Sequence, residues 1–509
     1  MIMQRRTLLA ALASAPLWPL AARANPHAGH GMPMHDSMPM NGMAAMHAPS
    51  SSPDALPPAG QPLATLPRLA NRSTEAGTFS GVIDIAETRH ALLPGAPTRL
   101  WSYNAGPLGP LIELNAGDRV AITLNNRLPE ETTVHWHGLP VDPRVDGHPR
   151  DAIAPGGSFR AGFTLPDNLS GTFWYHPHPH GLTARQVAMS LAGPVIIRHR
   201  NDPFAGLPES LLVISDQRFD RDNQVAAHTP ADWMDGREGE VVLVNGQYRP
   251  RLDVAPNETR RLRVLNACAA RYLLLSLPGA TLTRVGTDGG ALARPETGLS
   301  QLLLTPGERT ELLVTFPARV GQSLQLVSLP YARGKMMQPE QTAALPLMTV
   351  AVADRAPAAA FSLPAQLATI VPLGRPDIRR RVVLSERPMD HRMAGGGMMA
   401  MMKNMFLIDG RTYDMNRVDL SGKVGQIEEW EVVNDSHMDH PFHLHGGQFQ
   451  LIARNGKPQP PSWRDTVNLA PRASLTLRVR FDTPGERLYH CHILEHEDLG
   501  MMGTLAVHA

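Results

Sequence analysis

The chain has two cysteines, Cys268 and Cys491, in 509 residues. So few exclude a disulfide-stapled scaffold and leave one possible bridge, between those two, for an exported protein. Charge of either sign is also not in excess. Lys and Arg number 48 against 47 Asp and Glu, a formal net charge of +1, which gives no basis for nucleic acid or an anionic membrane as a partner. No stretch approaches the roughly 18 consecutive apolar residues that cross a bilayer, so no membrane span is expected. Few segments keep helical periodicity for long, and the chain is too long for one ordinary core. At about 150 residues per domain, about three domains are expected.

Glycine and proline are plentiful, at 43 and 47 residues, as short strands joined by turns require. After Phe79 the sequence falls into short alternating runs such as Arg119 to Leu124, Leu211 to Ser215 and Leu475 to Phe481. Alternation with period two marks half-buried strands, so the expected fold class is all-β, built of sandwiches.

The N-terminus reads as an address. Arg5-Arg6 precedes an uncharged, largely apolar run from Thr7 to Leu20, and Ala22-Arg23-Ala24 offers a cleavage site, so residues 1–24 are expected to be a removable signal. The paired arginines resemble a twin-arginine signal, which exports folded proteins, although Gln4, Leu8 and Ala10 depart from that pattern. A periplasmic location is implied. Residues 25–67 lack the makings of a core and intersperse six methionines, Met32 to Met46, with His27, His30, His35 and His47. The tract is either a plain flexible leader or a loose copper-holding one, thioether being a soft ligand.

An internal repeat sets the domain organisation. Gly117, Asn126, His135, His137 and Gly138 have the spacing of Gly425, Asn434, His443, His445 and Gly446. In each copy a second histidine pair follows a tyrosine, as Tyr175-His176-Pro177-His178 and Tyr489-His490-Cys491-His492. The first domain (68–202) and the last (377–509) are therefore read as copies of one sandwich. The middle domain (203–355) has no H-x-H pair and reads as a spacer, with an Ala/Pro-rich link over 356–376.

On a strand, each H-x-H pair sends two imidazoles to one face, about 7 Å apart, so four pairs supply eight ligands shared equally by the outer domains. Those domains must meet for the pairs to converge. In His490-Cys491-His492 the thiolate leaves the opposite face from the two imidazoles, so one strand can serve two metal centres. With His496, Met501 and one further histidine, Cys491 makes a set suited to copper with a weak axial thioether. Cys268, in an apolar run, reads as a buried small hydrophobe.

The motifs His135-Trp-His-Gly138, His176-Pro-His178, His440-Pro-Phe-His-Leu-His445 and His490-Cys-His-Ile-Leu-Glu-His496 through Met501 resemble the four copper motifs of the multicopper oxidases. The resemblance runs from about residue 78 to the end. It implies three consecutive cupredoxin-like Greek-key β-sandwich domains and four copper ions. Type 1 copper would take His440, Cys491, His496 and axial Met501. Type 2 would take His135 and His443. The type 3 pair would take His137, His176, His178, His445, His490 and His492. It further implies a monomer that oxidises a donor one electron at a time and reduces dioxygen to water, with Asp146 and Glu497 delivering protons. By spacing alone, Asp146 is equally a turn residue.

Seven methionines lie between 389 and 405. Thioethers favour Cu(I) and carboxylates favour Cu(II), so Met389, Asp390, Met393, Met438 and Asp439 are candidates for a cuprous donor site. This insert and the signal resemble the bacterial periplasmic copper efflux oxidases, implying Cu(I) as donor and a part in copper tolerance. The alternatives are a laccase-type oxidase of phenols and a non-enzymatic periplasmic copper-binding or storage protein.

Overall fold

The computed structural model describes residues 56–389, 401–402 and 404–509. The signal, most of the leader, Asp390, Met393 and most of the Met-rich insert lie outside the described residues. Three pairs of β-sheets follow one another along the chain. The first domain packs a four-stranded sheet (Thr98–Tyr103, Thr78–His90, Arg119–Asn126, Ser158–Thr164) on a three-stranded one (Ile112–Asn115, Gly193–Arg198, Gly171–Tyr175). The middle and last domains each pair a seven-stranded with a five-stranded sheet.

All three open with the same device, a long strand paired in parallel with a later strand. The pairs are Thr78–His90 with Arg119–Asn126, Glu209–Gln217 with Thr259–Asn266, and Ile378–Glu386 with Ile427–Asp435. A parallel pair cannot be joined by a tight hairpin, so the chain must cross to the other sheet in between, which closes the sandwich. Their burial alternates as the sequence does. In Ile427–Asp435, Glu428, Trp430, Val432 and Asn434 point inward. Each domain has its own apolar core, centred on residues such as Ile83 and Tyr175, Leu262 and Val350, and Trp430 and Phe442.

The link is not loose. Phe361, Leu363 and Leu367 pack against Phe204, Val285 and Leu313 of the middle domain. The two cysteines are both free, Cys268 in the middle-domain core and Cys491 in the last-domain core.

The strands that matter for chemistry lie in the five-stranded sheet of the last domain. His440–Leu444 sits between Thr466–Leu469 and Gly485–Cys491, in antiparallel register that sets Phe442 opposite Cys491 and His443 opposite His490. After Cys491 the chain turns into helix α3 (Leu494–Asp498), which packs on α1 (Thr183–Ala188) of the first domain and α2 (Pro230–Asp235) of the middle one.

Candidate metal centres

On one face of the 490–492 strand, Cys491 Sγ lies 3.3 Å from His440 Nδ1 and 3.9 Å from His496 Nδ1. Met501 is fully buried in the same apolar cluster, and its carbonyl accepts from Cys491 N at 3.1 Å. Phe406 stacks on His496 with ring centroids 3.8 Å apart. Burial pushes the Cys491 thiol well up, so a thiolate needs a compensating cation.

On the other face eight imidazoles converge, none more than 3% exposed. His135 Nε2 lies 3.3 Å from His443 Nε2, His490 Nε2 lies 3.2 Å from His178 Nε2 and 3.1 Å from His445 Nε2, and His137 Nδ1 lies 3.4 Å from His176 Nε2. His492 stands within 5.7 Å, ring to ring, of His137, His176 and His443. The first-domain pairs are joined by backbone, since His135 N donates to His176 O and His176 N to His135 O. The first and last domains thus contribute four histidines each.

For all of these rings but His178 and His492, the hydrogen bonds fix which nitrogen faces inward. A carbonyl can only accept, so the imidazole nitrogen against it carries the proton. Nδ1 of His135, His176, His443 and His490 faces the carbonyls of Asp146, Pro177, Asp465 and Cys491, and Nε2 of His496 faces that of Met234. His137 Nε2 and His445 Nδ1 face the carboxylates of Asp465 and Asp146. His440 Nε2 faces Ser436 and Glu386. The remaining nitrogen of each ring then turns a lone pair toward its neighbours. Lone pairs so close repel one another, whereas two nitrogens bound to one metal at about 2 Å sit about 3 Å apart. His492 has neither nitrogen partnered, and His178 Nδ1 has no partner. Burial holds most of these imidazoles well below their ordinary range, His490 at about 3. That direction favours the neutral ring, the form that ligates a metal. Among the described residues, five buried groups, including His440/Cys491/His496 and His178/His445/His490, bring their donor atoms within 4.8 Å of one another. Imidazole, thiolate and thioether donors of this kind fit copper.

Two aspartates occupy matching places around the cluster. The main-chain carbonyl of Asp146 takes His135 Nδ1 at 3.2 Å while its carboxylate reaches across to His445 Nδ1 at 3.2 Å. The carbonyl of Asp465 takes His443 Nδ1 at 2.8 Å while its carboxylate reaches across to His137 Nε2 at 3.0 Å. Glu497 lies between His490 Nδ1, 3.2 Å away, and His178 Nε2, 3.5 Å away. Burial pushes both Asp146 and Glu497 up, Asp146 against the pull of His135 and Glu497 with the help of Asp498.

The remaining candidates are spread out. Met438 is fully buried; Asp439 is 1% exposed, with Oδ2 taken by Tyr331 and Asn468 and Oδ1 unpartnered. Met389 is half-buried against the last-domain core. Glu386, unnoticed in the sequence, joins His440 Nε2 at 3.2 Å to His437, whose side chain is 42% exposed. The middle domain is more than a spacer. Met234 O holds His496, and Gly307, at φ +82°, lies so close beneath His492 that a Cβ there would meet its ring at 2.9 Å.

Comparison with known proteins agrees with this geometry. Multicopper oxidase family profiles match residues 84–202, 161–346 and 384–509. The multicopper oxidase mco of Staphylococcus haemolyticus is 33% identical over 417 residues, 80% of this chain and 83% of that protein. A multicopper oxidase structure from Campylobacter jejuni, described as a metallo-oxidase, superposes with TM-score 0.84 at 40% identity, covering 90% of this chain and 99% of that one. A laccase-like multicopper oxidase from Ochrobactrum, with reported activity toward lignin model compounds, gives 0.75 at 30% identity, covering 88% and 100%.

Proposed function

Since the chain belongs to the multicopper oxidase family, we propose that it couples one-electron oxidation of Cu(I) to four-electron reduction of dioxygen to water, serving copper tolerance in the periplasm. Four copper ions, bound as one type 1, one type 2 and a type 3 pair, would supply the electron storage and the oxygen chemistry. The protein's part is to hold twelve ligands, keep water out, admit electrons at one edge and bring protons to the other side.

The observation that carries the donor assignment is the edge of His440. Its Nε2 is linked to Glu386, and Glu386 to the half-exposed His437. Burial alone would push Glu386 up, but hydrogen bonds from His437 and His440 outweigh it and hold the carboxylate ionised. An anionic carboxylate, three residues ahead of Met389 in the chain, and an imidazole make a site for a small cation that must leave as Cu(II). Met438 and Asp439 directly precede His440 in the chain; with Met389, Asp390 and Met393 they complete the proposed donor set. The Campylobacter relative's description as a metallo-oxidase supports this reading. The laccase-type reading draws its support from the Ochrobactrum relative.

On the oxygen side, Asp146 and Glu497 are proposed to deliver protons. Each touches two cluster histidines, and burial pushes each above its ordinary carboxylate range, the direction that suits a proton donor.

Steady-state oxygen uptake with Cu(I) and with a bulky phenol, measured before and after removing 389–405, tests the donor. The cuprous reading expects Cu(I) to be the better donor, and the deletion to slow it and to raise phenol turnover. High phenol turnover without added copper would favour a laccase. No oxygen uptake by copper-loaded protein would leave a binding or storage protein.

A further inference from the structure

Asp146 and Asp465 hold equivalent posts, yet their surroundings differ in one respect. Arg487, the cation near Asp146, directs its N–H groups at the carbonyls of Gly485 and Thr483 and the Thr483 hydroxyl. Asp465 is gripped by Arg309 of the middle domain through two parallel hydrogen bonds of 2.6 Å each. Arg309 is fully buried. It is held by all three domains, donating also to Thr172 O at 2.9 Å in the first and to Gly307 O at 3.1 Å and Asp288 O at 3.3 Å in the middle one. Its backbone N–H donates to Asp288 Oδ1 at 2.6 Å. Gly138 closes the space: with φ at +85° its missing Cβ would collide with the Asp465 carboxylate and meet Arg309 Nη2 at 2.6 Å.

We propose that Arg309 is a positioning residue for the cluster, acting through Asp465 to hold His137 with its proton on Nε2 and its Nδ1 lone pair facing the metal. His137 differs from the other cluster histidines whose inward nitrogen is fixed by hydrogen bonds, all of which present Nε2. A ring that must present Nδ1 needs an acceptor on its far nitrogen, and Asp465 Oδ1 is that acceptor. Thr466 Oγ1, 3.0 Å from the same nitrogen, donates to Asp465 Oδ1 at 2.9 Å and so reinforces the arrangement. A bidentate guanidinium leaves the carboxylate no freedom to rotate away.

The inference rests on the assignment of His137 to the copper cluster, and the experiment separates the two. In Asp465→Asn the amide has one acceptor atom, and either placement sets its NH2 against an N–H of Arg309; the two-bonded grip is lost, and His137 Nε2–H is left at best with an uncharged acceptor that is free to turn. The expected result is about a 10- to 100-fold loss of turnover or of copper affinity at the cluster. The type 2 paramagnetic resonance and the near-ultraviolet type 3 band should change, while the blue thiolate colour stays. Arg309→Lys keeps the charge without the fork and should give a weaker form of the same defect. It is also the variant that decides if Asp465→Asn fails to fold. Both variants are assayed as copper-loaded full chains, for copper per chain, both cluster signatures and melting temperature. A lowered melting temperature with wild-type copper content and unaltered signatures would reduce the latch to a structural ion pair and overturn the proposal. Absence of those signatures in the loaded wild type would instead sink the copper assignment of His137.

Discussion

The two faces of the 490–492 strand differ in how they are closed. On the histidine face, carbonyls or carboxylates occupy the outer nitrogen of His135, His137, His176, His443, His445 and His490, and residues of all three domains wall the cluster. On the cysteine face, His496 is capped by a carbonyl and stacked under Phe406, but the outer nitrogen of His440 opens through Glu386 to a half-exposed histidine. A closed cluster suits a reaction whose intermediates must not escape. An edge closed by one carboxylate suits a donor that arrives, gives one electron and leaves. The strand between them makes the path short, since Cys491 is bonded directly to both His490 and His492.

Breaking the link at its centre carries the largest expected effect. Cys491→Ser should abolish turnover with any donor, measured as oxygen uptake. Next come the acids of the closed face. Asp146→Asn and Glu497→Gln should each lower turnover about 100-fold, the usual scale for a lost proton donor, while copper per chain stays at the wild-type value. That retention would set Asp146 apart from Asp465. On the open face, Glu386→Gln should slow Cu(I) oxidation about tenfold, the effect of losing one charge-assisted contact, with less effect on a neutral phenol. A comparison of the two kcat/KM values checks it. Smallest is Cys268→Ala, which touches neither face. It should cost about 1 kcal/mol in denaturant unfolding and leave colour and activity unchanged.

Much of this was legible in the sequence because spacing along a strand fixes side-chain direction. His490, Cys491 and His492 could be assigned to opposite faces, and the matched H-x-H pairs required the outer domains to meet. What was not legible depends on contacts between distant segments. Asp465 follows His443 by 22 residues whereas Asp146 follows His135 by 11, so the repeat did not flag them as counterparts. Arg309 and Gly307 lie in a domain without a single ligand, and only the packing of three sandwiches brings them to the cluster. Glu386 ends a strand just ahead of the methionine insert, and nothing in its neighbours marks it as the partner of His440. Asp439, a candidate for the donor site by its place beside His440, is buried against Tyr331 and Asn468, which spacing alone does not reveal.

The central claim is that this strand joins two separate centres. The direct measurement is made on copper-loaded Cys491→Ser, by visible absorption, paramagnetic resonance and copper per chain. The account predicts loss of the blue thiolate band with the type 2 and type 3 signals and most of the cluster copper retained. A variant that stays blue, or that loses the cluster together with the colour, would contradict it.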